Sequence, residues 1–382
     1  WDRDQTIQQA LEAWRGNPLA RRIIETTSQY AAGGVSLGCD HPAARRFLAE
    51  LWAHPLNRLG ARLLDWSDEL ARSGNLFVLL STDPGGMSYL RALPAAAVKE
   101  IHARENDLEQ GLEIVLRPSG EALEERRIPI YDPLDPREGG PDFPVTALHY
   151  AVNRPVGAQW GESDLAPILR WLQRYNGWLE DRARLNRYRT SFLYVVRGRF
   201  ASDAQRLQRQ AQLNAAPPAP GSILVTDEGE NWEIISSKLE AAEAAADGLA
   251  LKKMIAAGAG LPLHFLAEPE SATRSTAEAS GGPTFRRLQQ RQEFILWLVE
   301  DVLRAALRRR ARVDRAVRAD ARLSLSGADI SARDNAELAA AAEGAARAAG
   351  MLHERGLIDE AEMLRLVYRF GGESADLPEL LR

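Results

Sequence analysis

A single cysteine, Cys39, stands in 382 residues, so no intramolecular disulfide framework can form and the chain fits a reducing compartment. No apolar run approaches the roughly 20 residues that a membrane-spanning helix needs. The opening WDRDQTIQQA is polar and carries no signal-peptide core. Lysine is scarce: of 48 basic residues only Lys99, Lys238, Lys252 and Lys253 are lysines, the bias a GC-rich genome produces. A basic surplus is missing too. With 53 Asp and Glu the formal net charge is −5, so the chain is no general nucleic-acid gripper.

Catalytic motifs are mostly absent as well. There is no Gly-Lys dipeptide, hence no phosphate-cradling loop, which argues against an NTP-driven motor. No H-E-x-x-H or C-x-x-C occurs. The six histidines (His41, His54, His102, His149, His264 and His353) are scattered, with no pair at metal-ligand spacing. Glu105–Asp107 and Glu124–Glu125 lie in polar, turn-like surroundings and read as solvated. No catalytic residue, metal or cofactor is expected. A nuclease assembling Asp and Glu from distant strands is the alternative from the enzyme class.

The hydrophobic pattern gives an α+β chain, predominantly helical. Helical spacing of apolar residues fills most of the first 74 residues, with Gly33–Gly34 and Gly74 as punctuation. Short strands are predicted at 76–80, 88–93, 112–116, 127–131 and 147–152, with a surface loop over Asp132–Pro144. A long helix follows, capped by Ser163 or Asp164, with Leu165, Ile168, Leu169, Leu172, Tyr175, Leu179 and Ala183 on one face out to about Arg189. Next come a strand at 192–196, a helix at 202–214, and strands at 222–226 and 232–235.

A second long helix opens on the capping box Ser237-Lys-Leu-Glu240 and stops at Gly258, Gly260 and Pro262. The polar stretch 267–281 is predicted as a loop. Pro283 opens a third long helix that ends in the basic run Arg308–Arg312, suited to its dipole. A strand at 322–326 and helices beginning at Asp334 and Asp359 complete the chain. Two long helices around a small insert make a hairpin whose apolar stripe is poorly covered alone. Copies packed side by side around an axis would bury it.

Two segments carry a family resemblance. WGESDLAPILRWLQRYNGWLEDRARLNRYRTSFLYVVRG (160–198) resembles the helix-to-clip entry of tailed-bacteriophage portal proteins, whose long helix follows a G-x-S-x-L start. PGSILVTDEGENWEIISSKLEAAEAAADGLALKKMIAAGAGLPLHFL (220–266) is similar to that family's next stretch, and 87–116 fits its wing more loosely. The resemblance implies a wing (1–158), stem helix 1 (159–190), a clip (191–235), stem helix 2 (236–259), a tunnel-loop region (260–282), a long helix with wing return (283–333) and a helical crown (334–382).

It further implies a ring, typically of twelve subunits, at one capsid vertex of a virion assembled in the host cytoplasm. Double-stranded DNA would pass through it without sequence-specific contacts, and no membrane would be involved. Expected partners are the large terminase, a head-tail adaptor, and capsid and scaffolding proteins. A helical adaptor outside any virus is the remaining alternative.

Twelve copies would carry a formal charge of about −60, which repels DNA and lowers friction, screened beyond roughly 8–10 Å. Channel candidates in the tunnel loop are Glu270, Ser271, Thr273, Arg274 and Ser275, with Arg274 foremost. In the stem they are Lys238, Lys252 and Lys253, which alternatively sit on solvated outer positions or pair with Glu240 and Glu243. In the clip Arg197, Arg199, Arg206 and Arg209 are candidates for meeting DNA or acidic partner surfaces.

Overall fold

The structure is a computed structural model that describes residues 2–118, 124–139, 142–190, 193–216, 229–235, 241–266, 274–330 and 335–371. The chain divides into two compact units, one of residues 1–169 and 256–382, the other of residues 170–255.

The first unit begins with four helices, α1 (Arg3–Gly16), α2 (Pro18–Ala32), α3 (Pro42–Ala53) and α4 (Leu59–Ser73). Local chemistry sets their ends. The Asp2 carboxylate accepts from Gln5 N, and the Asn17 side chain accepts from Leu19 N and Ala20 N beside Pro18. Gly74, at φ 77°, ends α4 by donating its N–H to Leu70 O. Between α2 and α3 lies β1 (Ser36–Cys39), a strand the helical reading of this region did not anticipate. Four residues are too few to show a period of two.

Strands β2 (Asn75–Thr82), β3 (Ser88–Leu93), β4 (Val98–Arg104), β5 (Asp107–Leu116), β6 (Arg126–Pro129) and β7 (Thr146–Ala151) form two antiparallel sheets of order β3-β2-β7 and β4-β5-β6. β2 is the central strand and is covered on both faces. Leu76, Val78 and Leu80 enter the main core, while Phe77 joins Ala147, Ile101, Ile114 and Ile128 on the other side. Its unbroken run NLFVLL is the pattern of a strand buried twice over. β4 was not anticipated. Its register slips at three places against β5, which blurs the alternation.

The main core is organised around α8 (Arg274–Val313). Ile295, Leu298, Val299, Val302, Leu303, Ala306 and Leu307 pack with Phe47, Leu51, Leu63, Trp66 and Leu70 of α3 and α4 and with the inner face of β2. The loop expected over 267–281 is helical from Arg274 onward, and Pro283 lies inside the helix instead of opening it. The physical reason is that Ala277, Glu278 and Ala279 are good helix formers, so the segment's polarity removes packing but not propensity. β10 (Leu323–Ser326) pairs with β1, Cys39 opposite Leu323. Helices α9 (Asn335–Glu354) and α10 (Glu360–Gly371) follow as expected, separated by Gly356 at φ 69° and with Asp359 capping α10 through Glu362 N.

The second unit holds nearly all of α5 (Leu169–Thr190), then β8 (Leu193–Gly198), α6 (Asp203–Ala215), β9 (Glu230–Ile235) and most of α7 (Ala241–Ala259). β8 and β9 are antiparallel, with Val196 opposite Trp232. The strand expected at 222–226 and the capping box at 237–240 lie outside the described residues. Within this unit the Trp178 ring packs so closely on Gly248 that a Cβ there would fall 2.5 Å from it. That contact joins α5 to α7 as the two sides of the helix–insert–helix arrangement. No helix among the described residues is long and apolar enough to cross a membrane.

Candidate functional site

The segment from Gly161 to Ile255 is where the sequence pointed, and its chemistry starts at its root. Gly161 N donates to Asn75 Oδ1 at 2.9 Å, and Asn75 Nδ2 donates back to Gly161 O at 3.0 Å. Glu162 N reaches Val152 O, Asp164 N reaches Ala71 O, and the Ser163 hydroxyl accepts from Leu165 N. Each part of the G-x-S-x-L start therefore has a role. Gly161 permits close backbone approach, Ser163 closes the turn, and Leu165 is fully buried. Asp164 does not cap the helix. Its side chain accepts from Asn153 and from Arg291 on α8, which the sequence reading missed.

His149 belongs to the same anchor. Its ring stacks on Phe77, centroids 4.4 Å apart, with Nε2 3.2 Å from Asn75 Oδ1. Burial, and secondarily the Arg154 charge, hold its pKa down to about 3. The neutral form is the native one, so the folded state binds fewer protons than the unfolded chain below pH 6.5. Stability should thus be complete above pH 6.5 and fall by about 1.4 kcal/mol per pH unit from there towards pH 3. Denaturation midpoints across that range should flatten in His149→Phe, which keeps the stack. An unchanged slope would remove His149 as the cause.

The helices and hairpin of the second unit carry alternating charge. Residues 170–255 hold thirteen Arg and Lys against ten Asp and Glu, a local excess of +3 in a chain of −5. The α5 stripe is buried at Leu172 and Tyr175, whereas Leu179 is 43% exposed and Ala183 is exposed too. Arg170, Arg174, Arg184 and Arg187 are also exposed.

The clip candidates are mostly paired. Arg209 grips Glu230 through Nε at 2.9 Å and Nη2 at 3.0 Å, which lowers the carboxyl pKa and raises that of the guanidinium. Arg197 lies 3.1 Å from Glu233 on the facing strand, and Arg206 lies 3.5 Å from Asp203 one turn back. Arg199 is exposed. Exposed guanidinium groups reach phosphates without reading sequence, but pairing with carboxylates holds that attraction down.

The other candidates separate. Lys252 lies against α5, its Nζ 5.7 Å from the centre of the Tyr175 ring, while Lys253, the next residue around α7, is exposed. Lys238, Glu270, Ser271 and Thr273 lie outside the described residues. Arg274 and Ser275 are the first two residues of α8, so neither belongs to a loop. The described candidates fall on separate elements: β8 and the residue after it, α6, α7 and the start of α8. Among the described residues no group of three or more His, Cys, Asp or Glu side chains is placed to hold a metal ion.

The largest omission of the sequence reading is a buried ion pair in the first unit. Arg309, 1% exposed, sits against Glu138, 6% exposed, at Nε–Oε2 2.7 Å and Nη2–Oε1 2.5 Å. Leu80 O, Thr82 Oγ1, Pro144 O and Thr146 Oγ1 take its remaining donors. The basic run at the end of α8 is therefore more than a dipole complement, and the loop Asp132–Pro144 is pinned at one point.

No family model matches this sequence, and no curated protein does. Solved structures do. The chain superposes with a TM-score of 0.62 on one from the neck of an empty GTA particle computed with C6 symmetry, at 15% identity, covering 97% of this chain and 94% of that one. A chain from the neck of a native GTA particle computed with C12 symmetry matches with a TM-score of 0.59 at 14% identity, over 94% and 92%. One from the virion of a native gene transfer agent particle matches equally, with a TM-score of 0.59 at 14% identity over 97% and 94%. The shared property is the fold, from one end of the chain to the other.

Proposed function

We propose that this chain is the subunit of a portal-type ring in a phage-like particle, a structural connector with no reaction of its own. The observation that supports it best is the end-to-end fold likeness to chains of particle necks described with six-fold and twelve-fold symmetry. A likeness confined to one helical hairpin would support far less. The α5 stripe, buried at Leu172 and Tyr175 but exposed at Leu179 and Ala183, fits the same reading, since a neighbouring copy would cover its outer half.

In this reading the ring sits at one capsid vertex and double-stranded DNA passes through its axis during packaging and ejection. The β8–β9 insert is the surface that meets the terminase and then a head-tail adaptor, with capsid and scaffolding proteins on the outside. Ion pairing of Arg197, Arg206 and Arg209 suits such a passage. A strongly unpaired basic surface would hold DNA through counterion release, whereas a balanced one lets it slide.

Light scattering coupled to size-exclusion chromatography tests the reading. We expect a particle near twelve times 42.2 kDa, and negative-stain images of it should show an axial hole. A stable monomer across micromolar concentrations would overturn it.

A further inference from the structure

One face of α8 carries more positive charge than its surroundings neutralise. Arg291 Nη2 donates to Asp164 Oδ1 at 2.9 Å, and Arg287 Nη2 stands 3.9 Å from the same oxygen. Their side chains are 11% and 34% exposed, that of Asp164 only 1%. Two guanidinium groups thus share one carboxylate, leaving +1 in a largely desolvated place. Burial pulls the Arg287 pKa down, Asp164 opposes that, and Arg291 adds to it. Arg287 Nη1 is spoken for by Ala259 O. Arg291 Nη1 is enclosed and has no acceptor among the described residues, just as Asp164 Oδ2 has no donor.

Two recesses open at this point, of about 350 and 410 Å³, and both are walled by Arg287 and Gln290. Phe294 closes the first, and Trp297, one turn further, is 55% exposed with its ring 5.4 Å from that of Phe294. Arginine beside an exposed tryptophan is the composition of a protein–protein hot spot.

We infer that this face of α8 receives an acidic side chain from a neighbouring copy of the chain, its carboxylate set between Arg287 and Arg291. The inference rests on the ring reading above. An incoming carboxylate would bring the count to two cations and two anions, and Gln290 adds a donor at the rim. Charge complementarity favours a second copy, because residues outside 170–255 carry 43 Asp and Glu against 35 Lys and Arg. Duplex phosphates are a poorer fit. They are met by exposed cations along a backbone, not by half-covered ones in recesses flanked by aromatic rings.

Carbodiimide coupling of Arg287→Lys and, separately, of Gln290→Lys tests this. The coupling joins an amine to a carboxylate in direct contact and loses one water. Each variant is assembled from a mixture of isotope-labelled and unlabelled chains, so that coupling between copies gives peptides of hybrid mass. We expect hybrid peptides linking the introduced amine to one Asp- or Glu-containing segment. Gln290 is exposed, so its variant should fold even if the Arg287 one does not. Rings that form but yield only within-copy links to Asp164, or no links from either variant, overturn the inference and leave the ring reading standing. A ring of unchanged mass whose Arg287→Gln variant retains less duplex DNA reassigns the site to phosphate and overturns it as well. A chain that stays monomeric removes both.

Discussion

Glu138→Gln should cost about 3–5 kcal/mol of stability, one of the largest single effects expected in this chain. The substitution keeps the shape of the side chain and removes its charge. Arg309 is then left 1% exposed with no carboxylate, while its bonds to Leu80 O, Thr82, Pro144 O and Thr146 cannot offset the charge. Arg309→Met should cost a similar amount, because it strands Glu138 instead.

The double variant Arg309→Met/Glu138→Leu should lie nearer to the wild type than either single one, since no charge remains buried at that point. The Tyr131 and Phe143 rings, 5.7 and 5.3 Å from the guanidinium, are apolar enough to receive the methionine. Urea denaturation at fixed protein concentration reads all three. In the single variants the loop Asp132–Pro144 should also become the first site of proteolysis, since the pair is what pins it. A Glu138→Gln midpoint equal to that of the wild type would sink the argument.

This pair also shows where sequence reading runs out. Glu138 and Arg309 lie 171 residues apart, and nothing in Arg308–Arg312 marks the second arginine as the buried one. The same holds for Asp164 and Arg291, 127 residues apart. Local signals fared better. The apolar run of β2, the Gly74 stop and the Asp359 cap of α10 were legible because each depends on neighbours within a few residues. The start of α8 was misread because polarity was taken for disorder, though Ala277–Ala279 favour helix. Of the proposed DNA-facing residues, Arg197, Arg206 and Arg209 were chosen for their charge, yet their carboxylate partners depend on hairpin register and helix pitch, which charge alone does not reveal.

The order of elements proved more informative than any residue choice. Helix, small β-containing insert and helix are all present in residues 169–259. Those elements belong to a fold shared along nearly the whole chain with particle-neck proteins at 14–15% identity. The features that could be read were hydrophobic periodicity and turn positions.

Two glycines, one just before α5 and one within it, should respond to alanine in opposite directions. At Gly161 a Cβ would stand 2.9 Å from Val152 N and closer still to Gly74 O and Val152 O. All three are backbone atoms, so no side chain can swing away and the backbone segments themselves must part. Parting them also strains the two hydrogen bonds to Asn75, which is itself fully buried. Overpacking of a core costs roughly 1–3 kcal/mol, and three rigid contacts put Gly161→Ala at about 3 kcal/mol or above. Gly177, in the middle of α5, meets nothing within 4 Å and has no positive φ. There alanine only removes the entropy penalty of glycine in a helix, a gain of about 0.8–1 kcal/mol. Thermal unfolding of the two variants at equal concentration compares them directly. If Gly161→Ala melts at or above the wild type, the close backbone crossing at the root of α5 is wrong, and with it the account of why the G-x-S-x-L start needs its glycine.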